Sequence, residues 1–544
     1  MYGDYEAQRH WLEITTHLPF REWYTYDLQY WGLDYPPLTA YISWLCGIIG
    51  HAINPAWVAL DASRGIESPG SKLFMRLTVV ILDLAIYVPA LVMFVQTWQG
   101  TRSRRTQELA LLTLLLQPGL LLVDHGHFQY NSVMLGLTLL SMCCFSLGAD
   151  VVGAIFFVLS LGFKQMALYY APAIGSFLLA KCLFLGTEKG SRLFAKLGVT
   201  TVFAFAALFA PFFLPGLAPS VTAILNPITR IFPFNRGLFE DKVANFWCAS
   251  NVVIKWKRLA ESATHGDEDK ARGWLVKLST LLTALGFAPS VFGIMRAAWV
   301  MKDDDKVASP PNGAAEKIED DAGEKTASPP AFISLLPYAM LTSSMSFFLF
   351  SFQVHEKTIL LPLLPLTLLM SAAQAGTSLH NWGALGNNIA VFSMWPLLKR
   401  DGQGLACLAT LLLWNRVIGY TPWCWLRSNP LTVKENTKAP SLISTLSALS
   451  FVQIVSLFAY ASAFAICLLE TMVPAPARYP DIFPVLNVLV STPVFGLIWL
   501  WSIKCGVAVG WSIGGWKRDI PVAKLSPKEG SSSGGIEEER REEH

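Results

Sequence analysis

Long apolar runs separated by short polar clusters dominate the chain. Runs near 73–98, 109–123, 132–148, 151–163, 166–185, 197–217, 274–299 and 331–352 lead to another just after residue 357, with three more near 404–426, 441–470 and 482–511. Most approach the roughly 20 residues that a helix needs to cross a bilayer, for a total of about eleven spans. Only helices and closed barrels satisfy their backbone inside hydrocarbon. The runs are continuous and Leu-rich, not short and alternating, so the pattern predicts helices. Ahead of them, residues 35–57 are apolar but broken by Pro36, Pro37, Asn54 and Pro55. That segment is expected to lie in the interface as an amphipathic helix, with Trp and Tyr at headgroup level.

Charge then orients the spans. Arg102, Arg104 and Arg105 follow the first span, and TEKGSRLFAK (187–196) is basic again. Short basic loops stay on the cytoplasmic side. Counting outward from them puts 1–72 on the opposite face, together with DHGHFQYN (124–131), GFKQ (162–165), FNRGLFEDK (234–242) and VHEK (354–357). The expected organisation is a lumenal loop with amphipathic helices at 1–72, a transmembrane bundle at 73–301, a disordered cytoplasmic linker at 302–330, a second bundle at 331–516 and a disordered tail at 517–544.

Composition removes several function classes. Of 544 residues, 53% are hydrophobic and 15% charged, against about 25% charged in a soluble domain. The net charge of +3 offers no field for nucleic acid. Nine cysteines include no CxxC pair, so neither a zinc site nor a disulfide framework is expected.

The chemistry therefore rests on the polar clusters. Asp4 precedes the helix-like EAQRHWLEITTHL, where it reads either as an N-cap or as a general base facing a substrate hydroxyl. Glu6, Arg9, His10 and Glu13 share one helix face. That face is either solvated and internally ion-paired, or it offers Arg9 and His10 to a sugar or phosphate. Asp34 and Tyr35 are held extended by the two prolines after them. His125 and His127 form an HxH pair that invites a metal, while Gln129 and Asn131 suit sugar hydroxyls. His355, Glu356 and Lys357 end an apolar run, as an interfacial anchor or as a cationic clamp on phosphate. Arg236, Glu240, Asp241 and Lys242 allow the same two readings. Three aspartates at 303–305 match a DxD pattern, but their place in the linker reads as a solvated charge run. Two function classes fit: a transferase with its polar motifs gathered in loops on one face, or a transporter or lipid flippase with ionisable residues such as Asp83 inside the spans.

Six ordered motifs favour the first class. GDYEAQRHW, WYTYDLQYWGLDYPPLTAY, DHGHFQYN, GFKQM, PFNRGLFEDKVANFWC and FSFQVHEK resemble the eukaryotic dolichyl-phosphate-glucose-dependent glucosyltransferases of N-glycan assembly. The AQRHW and YWGLDYPPLT wording is similar to the member that acts first, and a sister enzyme that adds the second glucose is the alternative. The resemblance implies an all-α polytopic membrane protein of GT-C type fold, in the endoplasmic reticulum membrane, with its active site lumenal. It implies transfer of glucose from dolichyl-phosphate-glucose to the terminal mannose of a dolichyl-pyrophosphate-linked nine-mannose oligosaccharide. The new α-1,3 bond forms with inversion. The family's catalytic acid falls on Asp4 in GDxE, and a membrane helix is expected ahead of Asp4, where this sequence has three residues.

Inversion needs one base at the acceptor and countercharge at the departing phosphate. Arg9, His10, His355 and Lys357 are the candidate cations, Glu6, Asp34, Tyr35, His125, His127, Gln129, Asn131, Arg236, Glu240, Asp241 and Lys242 the candidate substrate contacts, and no metal or other cofactor is expected. Trp11, Trp23, Trp31 and Tyr35 are expected to stack on sugar faces.

Overall fold

Caps and prolines set the helix starts. Ser68, Ser103 and Thr377 each accept a hydrogen bond from a backbone N–H in the first turn that follows. Pro37, Pro69 and Pro118 open helices where a missing N–H costs nothing. The computed structural model describes residues 4–213, 221–231, 242–308, 329–421 and 449–516, and every regular element among them is helical.

Eight helices among the described residues are long and apolar enough to cross a membrane: Pro69–Trp98, Arg104–Phe128, Gln165–Phe184, Gly186–Phe212, Glu268–Lys302, Ala331–Phe350, Phe451–Met472 and Ile482–Ser512. Pro37–Ile53, Asn131–Ser146, Asp150–Phe163 and Gly404–Val417 are shorter apolar helices. Ala331–Phe350 is mostly buried, at the centre of the bundle. Gly186–Phe212 and Phe451–Met472 leave most of their surface open, with Val199, Val202, Phe203, Phe458 and Phe464 outward. Such a rim of exposed large apolar side chains belongs in hydrocarbon.

Inside the bundle, polar side chains find partners on other helices. The Gln117 amide donates to Asn387 at 2.8 Å, Ser343 to the Tyr169 carbonyl at 2.7 Å, and the Trp414 indole to the Thr113 carbonyl at 2.9 Å. These bonds explain an element that the hydropathy pattern hid. The stretch SLHNWGALGNNIAVFS is polar enough to break an apolar run, yet Ser378–Ser393 is a buried helix. Asn387 donates to Thr367 and to the Gly383 carbonyl, both at 3.0 Å, so its amide is satisfied inside protein. The descending run after 357 is accordingly not one span but Leu360–Ser371 followed by this helix.

Other boundaries also moved. TEKGSRLFAK, expected as a basic loop, forms the first turns of Gly186–Phe213. The first part of DHGHFQYN is not loop either, since Leu122–Phe128 continues its helix in π geometry. Glu268–Ala308 carries helix into the segment expected as a disordered linker. Residues 309–328 of that linker, the side chains at 303–305, residues 214–217, 422–426 and 441–448 of three expected spans, and the tail from 517 lie outside the described residues.

The N-terminal segment is docked onto the bundle. Tyr5–His17 packs on Pro37–Ile53 with Gly47 at the crossing. A Cβ at Gly47 would stand 2.7 Å from the Leu12 carbonyl oxygen and closer still to the Thr16 hydroxyl. Thr39 donates to the Phe163 carbonyl, and the Tyr41 hydroxyl to the Leu208 carbonyl at 2.6 Å. Trp11, Trp23 and Tyr24 form a buried aromatic cluster with Phe212.

Gly47→Ala is therefore expected to lower the melting temperature of the purified protein, since overpacking a close helix crossing costs about 1–3 kcal/mol. Gly198→Ala, with open space at its Cβ, is expected to leave it unchanged or slightly raised. Equal melting temperatures for the two variants would contradict this packing.

Candidate functional site

Asp4 stands at the N-cap of Tyr5–His17, yet its side chain makes no capping hydrogen bond. Its carboxylate instead accepts from the Lys357 ammonium at 2.8 Å, across 353 residues of sequence. The capping reading of Asp4 gives way because a charged donor is available, and charge-assisted bonds are about twice as strong as neutral ones. Asp4 keeps 31% of its side chain exposed, toward a cavity of about 380 Å³.

That cavity gathers pieces from six stretches of the chain. Asp4, Gln8 and Trp11 come from the first helix; Tyr30, Trp31, Asp34 and Tyr35 from the loop after it. Gln129 and Asn131 follow the π-helical segment; Lys164 and Gln165 lie between two apolar helices; His355, Lys357 and Thr358 follow Ala331–Phe350. Arg230 completes the wall.

Backbone conformation aims several of these groups. Phe128 has φ +83°, in the left-handed region that non-glycine residues rarely adopt. Tyr5 and Tyr130 pack edge-on against its ring at 5.2 and 5.6 Å, which holds the chain there. The turn ends the π helix and delivers Gln129 and Asn131 to the cavity. π-helical turns recur at functional sites because they re-aim side chains.

Lys164 is the cation that sequence reasoning left out of the site. Its ammonium donates to Gln129 at 2.6 Å and Asn131 at 2.7 Å, and lies 5.0 Å from the centre of the Tyr35 ring. Burial, and then the nearby Lys357 charge, pull it down to about 8, against the opposing pull of Asp4, Asp124 and Asp34. One signal for it was available: it stands in the GFKQM motif, on the face where the other polar clusters were expected. Arg230, just upstream of the quoted NRGLFEDK cluster, was also missed.

Burial pushes the Asp4 carboxyl up, but the Lys357 charge, then His127, the Lys357 hydrogen bond and Lys164 outweigh it and hold Asp4 below the usual carboxylate range. The Lys357 ammonium is therefore shared. It has three N–H donors, of which one meets Asp4 at 2.8 Å and one the Nε2 of His127 at 3.2 Å.

The remaining candidates are placed elsewhere. The face carrying Glu6, Arg9, His10 and Glu13, read as solvated or substrate-facing, is turned inward. Arg9, His10 and Glu13 are at most 1% exposed. Arg9 donates to Glu6 at 2.5 Å, to Glu13 at 2.9 Å and to Ser63 at 2.5 Å, and His10 bonds Glu13. Glu6 also accepts from the Tyr30 hydroxyl at 2.9 Å and the Gly65 N–H at 3.0 Å. Their charges are consumed in pinning the helix to the loop at 61–65, so Arg9 and His10 do not reach the cavity. His125 and His127 diverge: His125 pairs with Asp83 at 2.8 Å, and His127 bonds Asp401. Lys242 pairs with Asp481 at 3.0 Å, away from the cavity. Arg236, Glu240 and Asp241 lie outside the described residues. Of the aromatics, Trp11 and Trp23 are buried, while Trp31 is 48% exposed at the cavity.

The profile of the ALG6, ALG8 glycosyltransferase family matches residues 1–501. The dolichyl pyrophosphate Man9GlcNAc2 alpha-1,3-glucosyltransferase of Saccharomyces cerevisiae is 42% identical over 517 residues, covering 92% of this chain and 85% of its own length. The protein of that name from Gallus gallus is 38% identical over 541 residues, covering 93% of this chain and 92% of its own. A Schizosaccharomyces pombe protein named as probably having that activity is 40% identical over 509 residues, with 92% and 85% covered.

Two of the acidic positions at the first helix, Asp4 and Glu13, separate experimentally. Glu13→Gln leaves Arg9 and His10 buried beside a neutral amide, and breaking a buried pair in this way costs about 3–5 kcal/mol. Asp4→Asn faces a cavity and loses one charge-assisted hydrogen bond, so it is expected to cost less, about 1.5–3 kcal/mol. Thermal unfolding of the purified variants checks this: a large drop for Glu13→Gln and a smaller one for Asp4→Asn.

Proposed function

Because the chain belongs to the ALG6, ALG8 glycosyltransferase family, we propose that it transfers glucose from dolichyl-phosphate-glucose to the terminal mannose of dolichyl-pyrophosphate-linked Man9GlcNAc2. The bond formed is α-1,3, with inversion at the glucose. The names of the relatives support the acceptor and the linkage. The setting is the endoplasmic reticulum membrane, with the cavity opening to the lumen. In this reading residues 1–72 form the lumenal entrance and 73–301 and 331–516 the two parts of the membrane bundle.

One observation carries the mechanism: a carboxylate and an ammonium 2.8 Å apart at the wall of a cavity that polar side chains share. Asp4 takes the proton from the mannose 3-hydroxyl as that oxygen attacks the glucose C1. The bond from C1 to the phosphate oxygen breaks on the opposite face, and the phosphate leaves with the electron pair. A phosphate is already a good leaving group, so it needs countercharge more than a proton. Lys357, with one N–H left over after Asp4 and His127, supplies it, together with Lys164, Arg230 and His355 on the same walls. Gln129, Asn131, Asp34 and Tyr35 offer donors and acceptors to sugar hydroxyls, and Trp31 offers a ring face. The lipid tails remain in hydrocarbon beside the bundle.

Transfer to a defined lipid-linked acceptor tests the reading. Asp4→Asn is expected to lose about 10²–10⁴-fold in kcat, the span of a positioned general base. Because the chain's own cations serve the phosphate, transfer is expected to persist in excess chelator. Full activity of Asp4→Asn would remove the proposed base.

The pH profile of kcat/KM follows from the two shifted groups. Asp4 is a base only when ionised, and its pKa is held below the ordinary 3.8. The acid limb should therefore lie below that value wherever the protein stays folded. Lys164 holds an anion only when protonated, so the rate should fall as pH rises through about 8. Lys164→Arg keeps the charge and should carry the plateau to higher pH. An upper limb that stays put in Lys164→Arg would detach Lys164 from donor binding.

A further inference from the structure

Asp401 was outside every motif read from the sequence. It caps the Trp395–Arg400 helix, and the next residue, Gly402, has φ +72° before Gly404–Val417 begins. Its side chain is 1% exposed. One carboxylate oxygen bonds Nδ1 of His127, whose side chain is 2% exposed, and the other has no hydrogen-bond partner among the described residues. The carboxylate is thus directed at one imidazole.

That imidazole has a second neighbour. Its Nε2 is 3.2 Å from the Lys357 ammonium, which is 2.8 Å from Asp4. An ammonium has no acceptor. Nε2 must therefore accept, and the ring proton must be on Nδ1. A carboxylate has no donor when ionised, so Asp401 demands a proton on Nδ1 as well. Both neighbours dictate the same tautomer, and the unbroken order Asp401, His127, Lys357, Asp4 links a helix end to the cavity wall.

We propose that Asp401 is a positioning residue for the transfer reaction: it fixes the tautomer of His127, whose free nitrogen holds the Lys357 ammonium against Asp4 and toward the departing phosphate. The proposal rests on the reading of Asp4 as base. With Asp401 ionised, His127 is held as an acceptor and Lys357 cannot rotate away without leaving a buried nitrogen unpaired. With an amide in its place, the group facing Nδ1 can donate as well as accept. The opposite tautomer then becomes accessible, Nε2 turns into a donor, and the ammonium is repelled.

The groups that face Asp4 are Lys357, His127 and Lys164, and those that face His127 are Lys357, Asp4 and Asp401. Loosening Lys357 removes the main influence that holds Asp4 in its ionised form. The acid limb of kcat/KM should then rise, a change that mere loss of folded protein does not produce.

The experiment compares Asp401→Asn, Asp401→Glu and Asp4→Asn with wild type in the purified full chain, using dolichyl-phosphate-glucose and the lipid-linked acceptor. Asp401→Asn is expected to lower kcat about 10–100-fold, the scale of losing a partner that orients a histidine. The acceptor KM should stay near wild type, and the acid limb should move to higher pH. Asp401→Glu, which keeps the acceptor charge, should recover part of kcat and return the limb toward wild type. If Asp401→Asn does not fold, His127→Asn is measured for the same kcat loss and limb shift. Wild-type kcat, or a lowered rate with an unmoved acid limb, overturns the positioning role. An inactive Asp4→Asn beside a wild-type Asp401→Asn sinks this inference alone, whereas an active Asp4→Asn sinks the base beneath it.

Discussion

The whole site depends on one ammonium with three hydrogens. Lys357 enters from the short turn Glu356–Ile359 that follows the bundle's central helix, and meets a carboxylate at the start of the first helix of the chain. Neither partner is fully exposed, at 18% and 31%. In a partly dry cavity an opposite charge is worth several times what it is worth in water. The pair therefore ties the N-terminal segment to the bundle and sets the ionisation of the proposed base. Lys357 also lines the cavity, with a third hydrogen beyond those that meet Asp4 and His127. An ion pair saturated on both sides would have no chemistry left to offer.

The surrounding structure keeps that pair in place without using up its charge. Four ionisable groups on the first helix, Glu6, Arg9, His10 and Glu13, pair with one another and with Ser63. They fix the rotation of the helix and so the direction of Asp4. The close crossing at Gly47 and the bonds from Thr39 and Tyr41 fix its height against the bundle. From the other side, the positive φ at Phe128 brings Gln129 and Asn131 around to hold Lys164. Two lysines thus share one small cavity, each with its own polar collar, which suits an anionic ligand.

The membrane class and most long helices were legible in the chain because hydropathy reports directly on what a bilayer admits. Ser378–Ser393 was not, because its amides are satisfied by Gln117 and Thr367, partners that only the folded bundle supplies. The site was legible to a similar depth. Asp4, Asp34, Tyr35, Gln129, Asn131, His355 and Lys357 all line one cavity. Arg9 and His10 were assigned outward because helix periodicity says which residues share a face and not which way that face turns. His127 was read as a substrate contact, and its bond to Asp401 was not legible, since the two are 274 residues apart in sequence. Lys164 was quoted within a motif and passed over as a site residue, because its partners Gln129 and Asn131 come from another motif.

The arrangement is tested most directly by the proximity of positions 4 and 357 in the membrane-embedded protein. In a background freed of native cysteines, Asp4→Cys combined with Lys357→Cys is treated with the shortest bismaleimide, and the digest is read by mass spectrometry. The account predicts a peptide bridging the two positions in high yield, and little bridging when Lys504→Cys replaces Lys357→Cys. Absence of the bridge from fully alkylated protein would contradict it.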